Sequence, residues 1–161
     1  MIELPAGVIT PDIPAEKIYQ GTIRGLVERI KRLYAAIYLR FGEEGLNLIR
    51  EVSREYGAQV AADTKAKYGE MELKQLALFL VRIFNGMLGE GKITAWSEDK
   101  VTIMVRQCPY PFTRREICAA HTSMEQALVQ GINPGLYYVI EKCIPGGDEE
   151  CWHTLKKRNI K

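Results

Sequence analysis

Before residue 108 the chain contains no cysteine and no histidine. All four cysteines and both histidines fall between Cys108 and His153. Core cysteines act as small hydrophobes and have no reason to crowd in this way. A thiol- and imidazole-rich end reads instead as one shared site. Other absences narrow the function classes. No apolar run approaches bilayer-spanning length, so no membrane segment is expected. The start Met1-Ile2-Glu3-Leu4-Pro5 has neither a basic n-region nor an apolar h-region, so no secretory leader is expected. The net charge is only +2 with acids and bases interleaved, which gives no electrostatic footprint for a nucleic-acid partner. The glycines form no Gly-x-Gly-x-x-Gly unit after a strand and no phosphate loop. The cysteine spacing matches no compact ferredoxin run, and there is no Cys-x-x-Cys-His. These absences predict a cytoplasmic protein. In that reducing compartment, clustered thiols favour metal binding or redox work over structural disulfides.

What is present fits one folded domain. With 161 residues, 47% hydrophobic and 26% charged, the chain can bury a substantial core and shows no disorder signature. Residues 1–14 carry Pro5, Pro11 and Pro14 and read as an extended arm. Residues 15–161 read as a single domain, with a helical half over 15–90 and a sheet half over 92–158. Ile23, Leu26, Val27, Ile30, Leu33, Tyr34, Ile37, Tyr38 and Phe41 recur at helical steps, and Gly42 ends that helix. Glu43 and Glu44 open a second helix with the buried stripe Leu46, Ile49, Val52, Tyr56 and Val60. A third, from about Glu72 to Leu88, is apolar nearly all round, which predicts a central position.

The period then changes to two. Ile93 and Ala95, a polar turn, and Val101, Ile103 and Val105 predict a β-hairpin. A helix is expected over Thr113 to Val129, with Thr113 and Glu116 as a capping box. Leu136 to Cys143 and Cys151 to Lys157 form a second expected hairpin around Pro145-Gly146-Gly147. The order is helices, hairpin, helix, hairpin. It predicts an α+β fold with helices packed on an antiparallel sheet of about four strands. The apolar helices offer a homodimer surface, with core burial as the competing account.

A candidate site follows from spacing. If Cys143 faces Cys151 across the second hairpin, Glu141 lies opposite His153 on the same face. Cys118 and His121, three apart, share one helical face that can pack over it. Thiolates with imidazole or carboxylate suit zinc best, with iron as the substitute. Cys118, Cys143 and Cys151 are the expected ligands. Cys108 and His121 are open between ligation and other roles, Glu141 between ligation and plain exposure, and His153 reads more simply as a solvated surface residue.

From Cys118 through Gly131-Ile132-Asn133-Pro134-Gly135 to Glu141, Cys143, Gly147-Asp148 and Cys151, the chain resembles the L-2-amino-thiazoline-4-carboxylic acid hydrolase-like family. Phe41-Gly42-Glu43-Glu44-Gly45 and Arg54-Glu55-Tyr56-Gly57 are similar to that family's helical region. The chain also resembles the 4-vinyl-reductase domain, a small-molecule-binding module found in sensor regions of aromatic-responsive regulators. There three cysteines and a glutamate hold a structural zinc, and Cys118, Cys143 and Cys151 match the cysteines. Glu141 precedes Cys143 by two residues rather than three, which leaves the fourth ligand open among Glu141, Cys108 and His121. Both resemblances imply an α+β domain with a ligand pocket between helices and sheet. Tyr34, Tyr38, Tyr56, Phe79 and Phe84 are the candidate pocket residues, supplying apolar walls and phenolic hydroxyls. The expectation is therefore a small-molecule-binding domain with a cysteine-rich zinc site. The alternatives are a hydrolase of cyclic C–N bonds, using metal-bound water or a thiolate, and an iron-based redox or sensor protein.

Overall fold

A computed structural model describes residues 12–158. The expected arm over residues 1–14 lies, but for its last three residues, outside the described residues. Helix α1 (Ala15–Tyr68) follows Pro14 and kinks at Gly42, whose φ of 56° and ψ of −128° are open at low cost only to glycine. The break falls where the sequence pattern placed it. The first arm of α1 turns Val27, Ile30, Tyr34, Ile37 and Tyr38 inward, while Leu26, Leu33 and Phe41 are half-exposed. This face is narrower than the periodicity implied.

The second arm buries Gly45, Leu46, Ile49, Ser53, Gly57, Ala61 and Thr64. Val52 and Tyr56, expected in the stripe, are more than half exposed. The reason is close helix packing. A Cβ on Gly57 would collide with the Met124 carbonyl oxygen, and one on Gly131 would lie 2.6 Å from the Ala61 Cβ. Helix α1 therefore turns its small residues, not its largest ones, toward its partner.

Helix α2 (Leu73–Gly86) opens with a capping box in which Gln75 Oε1 accepts the Glu72 N–H at 3.0 Å. It buries Leu73, Leu76, Ala77, Leu80 and Phe84, while Leu78 stays half-exposed. It lies on one side of the sheet and is not central, so the all-round apolar pattern overstated its burial. Its end is Leu88 at φ 62°, with the Gly89 N–H donating to the Phe84 carbonyl at 2.8 Å.

The sheet has strands β1 (Gly91–Trp96), β2 (Lys100–Val105), β3 (Leu136–Lys142) and β4 (Cys151–Lys157). Their order is β1-β2-β4-β3 and all neighbours are antiparallel. Both expected hairpins are present, and the fold is the expected α+β architecture. Val101, Ile103, Val105 and Leu155 are fully buried with α2 in the main core. On the other face, paired Thr102 and Thr154 share a buried hydroxyl hydrogen bond of 3.3 Å.

The single helix expected over Thr113–Val129 is two: α3 (Arg115–His121) and α4 (Ser123–Ile132), joined at Thr122. The expected capping box is absent, because Arg114 and not Thr113 stands at the N-cap and makes no side-chain cap bond. Among the described residues no helix is long and apolar enough to cross a membrane.

Candidate ligand-binding site

A cavity of about 190 Å³ opens between the second arm of α1, α2, the α3–α4 pair, β4 and the segment following β2. Helices α3 and α4 supply Cys118, His121, Glu125 and Leu128, spaced three and four apart and so on one face. Cys151 and His153 come from alternate positions of β4, which puts them on the same side of the sheet. The segment after β2 adds Cys108, Tyr110 and Phe112. Val60, Leu80, Ile83, Phe84 and Met87 make the apolar wall. The lining contains one carboxylate and no lysine or arginine.

His121 is buried, with its ring centroid 4.3 Å from that of Tyr110 and 5.1 Å from that of Phe112. Neither ring nitrogen has a hydrogen-bond partner. Burial lowers its pKa to about 4, so the ring is neutral near pH 7. Glu125 is equally buried and its Oε2 is also unpartnered. Burial pushes its pKa up to about 7. Tyr110 is pushed up to about 12, by burial first and by the nearby Glu125 second. Behind the cavity wall the buried Tyr138 hydroxyl is hydrogen-bonded to His153 Nδ1, and the Phe84 ring lies 4.7 Å from the His153 ring.

The Cys108 and Cys151 thiols influence one another's ionisation. Cys108 is the largest influence favouring the Cys151 thiolate, with His153 and the Ile144 N–H (3.3 Å from Sγ) adding to it. Together they bring Cys151 down to about 5 against the opposing effect of burial. The Cys108 thiol is correspondingly pushed up, and it donates to the Tyr110 carbonyl at 3.0 Å. These influences favour a thiolate on Cys151 over one on Cys108. Burial pushes Cys118 up to about 12, with Cys143 and Cys151 as lesser causes.

Of the residues singled out in the sequence, Cys108, Cys118, His121 and Cys151 come together on the cavity wall. Cys143 is buried beside them, its N–H donating to Asp148 Oδ2 at 2.8 Å, but it does not line the cavity. Glu141 is elsewhere. The β3–β4 register pairs Ile140, not Glu141, with His153, and a bulge between Ile140 and Lys142 takes up the extra residue. Glu141 is thereby turned to the surface, where Lys156 at 2.7 Å and Lys100 at 3.1 Å hold it and keep its carboxyl below the ordinary value.

Among the described residues no group of three or more His, Cys, Asp or Glu is placed to hold a metal ion. The thiols as arranged thus do not fit the four-ligand zinc site expected of them. Of the expected pocket residues, Tyr56 and Phe84 line the cavity. Tyr34 stacks behind Phe112 at 5.8 Å, Tyr38 lies beneath the Arg114 guanidinium, and Phe79 lines a separate surface groove with Tyr68 and Met71. They miss the cavity because the kink at Gly42 and the one-sided seating of α2 direct them elsewhere.

Sequence reasoning missed Glu125 and Tyr110, and read His153 as solvated although it is buried. A signal for Glu125 existed. It is an acid one turn after His121, in line with Cys118 and Leu128 on a face that is otherwise free of charge.

No protein-family model and no curated protein matches the chain. Solved structures do. A trafficking protein particle complex subunit 3 from Naegleria fowleri, covalently bound to palmitic acid, superposes with a TM-score of 0.60 at 13% identity, over 86% of this chain and 96% of that one. The phenol-responsive sensory domain of the transcription activator PoxR, solved with phenol, gives 0.56 at 12% identity, over 84% and 74%. The chain shares its α+β fold with both.

Proposed function

We propose that the chain is a small-molecule-binding domain whose ligand occupies this cavity. The observation that carries the reading is the pair of buried, unpartnered polar side chains, His121 and Glu125, in an otherwise apolar chamber. Each such group costs about 1–3 kcal/mol while unbonded. A ligand that bonds them recovers that cost, and the walls gain its apolar burial. The size suits one substituted ring, since a cavity of about 150 Å³ accommodates benzene. The fold shared with a sensory domain solved with phenol and a subunit holding palmitic acid supports the reading. So does the resemblance to the 4-vinyl-reductase domain.

The test is calorimetric titration with benzyl alcohol against the whole chain and a Val60→Phe variant, which fills the chamber. Saturable binding that the variant abolishes is the expected result. Binding indifferent to Val60→Phe, or none, overturns the reading.

One observation favours a second reading, the thiolate form of the hydrolase. Cys151 and His153 both line the cavity from alternate positions of β4, and His153 is among the groups that favour the Cys151 thiolate. It requires turnover of a cyclic C–N substrate that Cys151→Ser abolishes while the fold is retained. The zinc reading requires the thiols to regroup around the metal. Elemental analysis of protein purified without a metal-affinity tag decides it, with about one zinc per chain expected of a closed four-ligand site.

A further inference from the structure

We propose that the cavity is built for a small apolar amine bound as its ammonium ion, with the Glu125 carboxylate as the pairing group. This rests on the cavity reading above. The lining offers the charge and the hydrogen-bonding groups an ammonium needs. Glu125 is the lining's one carboxylate, its Oε2 is free, and no lysine or arginine neutralises it. An ammonium is a donor only, so it needs acceptors. Glu125 Oε2 and an unprotonated His121 nitrogen supply two within one helical turn. The aromatic rings of Tyr110 and Phe112, packed around His121, present faces that attract a cation.

The other polar groups around Glu125 point the same way. Cys118 and His121 adjoin it on α3, Cys108 and Tyr110 on the preceding segment, Tyr138 on β3, Cys151 and His153 on β4, and Tyr56 on α1. None of them is a lysine or arginine. A carboxylate ligand would meet Glu125 and Cys151 with no side-chain cation to receive it. The chamber therefore discriminates by charge as well as by size.

The experiment compares three probes of one shape, benzylamine, benzyl alcohol and benzoate, by calorimetry on the whole chain and on Glu125→Gln. Glutamine keeps the volume and removes the charge, so the variant folds. Benzylamine is expected to bind at least about tenfold more tightly than benzyl alcohol, the factor a charge-assisted bond confers. Benzoate is expected to bind weakest. Glu125→Gln is expected to erase the amine preference, so that benzylamine binds no more tightly than benzyl alcohol. If benzyl alcohol or benzoate matches benzylamine, or the preference survives in Glu125→Gln, the amine assignment is overturned and the cavity reading stands. If no probe binds, both fall.

Discussion

His121 and Glu125 stand four positions apart on one face of the α3–α4 pair, and both leave buried polar atoms without a partner in the same cavity. Burial moves the two pKa values in opposite directions, each toward the neutral form, which makes the pair a source of pH-dependent stability.

Glu125 holds its proton more tightly in the folded chain, at about 7 against an ordinary 4.5. Its contribution to stability is fully present below the unfolded value and is lost as pH rises through about 7. Glutamine cannot ionise. Glu125→Gln is therefore expected to be more stable than the natural chain above that pH, on the order of 2–4 kcal/mol, and similar near the unfolded value. Urea unfolding at the two pH values measures this. Equal midpoints at the higher pH would contradict it.

His121 acts in the opposite direction. Its folded value of about 4 lies below the ordinary 6.5, so its contribution is present above 6.5 and is lost as pH falls through about 4. In the natural chain Glu125 offsets this loss over much the same window. In the Glu125→Gln background the acid loss is expected to stand uncovered. Adding His121→Phe, which keeps an aromatic ring against Tyr110, is expected to remove it. Melting temperature against pH for the single and double variants is the measurement.

Gly57 sets the spacing of α1 and α4. An added methyl would run into the Met124 backbone, which cannot rotate away as a flexible side chain can. Gly57→Ala is expected to destabilise by about 1–3 kcal/mol through overpacking. Gly21→Ala, where nothing lies within 4 Å, is the control and is expected to be neutral or slightly stabilising. Denaturant midpoints compare them.

Cys151 is expected to be the first thiol alkylated by a small reagent near neutral pH, because Cys108 and His153 favour its thiolate while burial keeps Cys118 protonated. Peptide mapping after brief exposure identifies the modified residue. Benzyl alcohol bound in the cavity is expected to slow the reaction. Faster modification of Cys118 would show that the charge does not rest on Cys151.

Glu141 makes only surface ion pairs with Lys100 and Lys156. Glu141→Gln is expected to cost less than about 1 kcal/mol and to leave metal content and ligand affinity unchanged. Loss of a bound metal in this variant would restore Glu141 to the ligand set.

Periodicity in the sequence was enough to determine the α+β class, the break at Gly42, the two hairpins and the antiparallel sheet. These depend on local hydrophobic spacing and on glycine, both visible in one dimension. The approach of Cys118, His121 and Cys151 was legible from helical and strand steps, whereas Cys143, expected beside them as a ligand, does not line the cavity. Only the tertiary structure decided what that site is. A single bulge after Ile140 turned Glu141 out to the lysines, an event of strand register that composition does not encode. The approach of α4 chose Gly57 and Ala61 over Val52 and Tyr56 as the buried face of α1, because helix separation is set by the smallest residues at the crossing. His153, read from the sequence as solvated, is buried between Phe84 and Tyr138. Burial, a property of the whole fold, set an acid without a partner for its Oε2 into the wall of a cavity and raised its pKa to about 7.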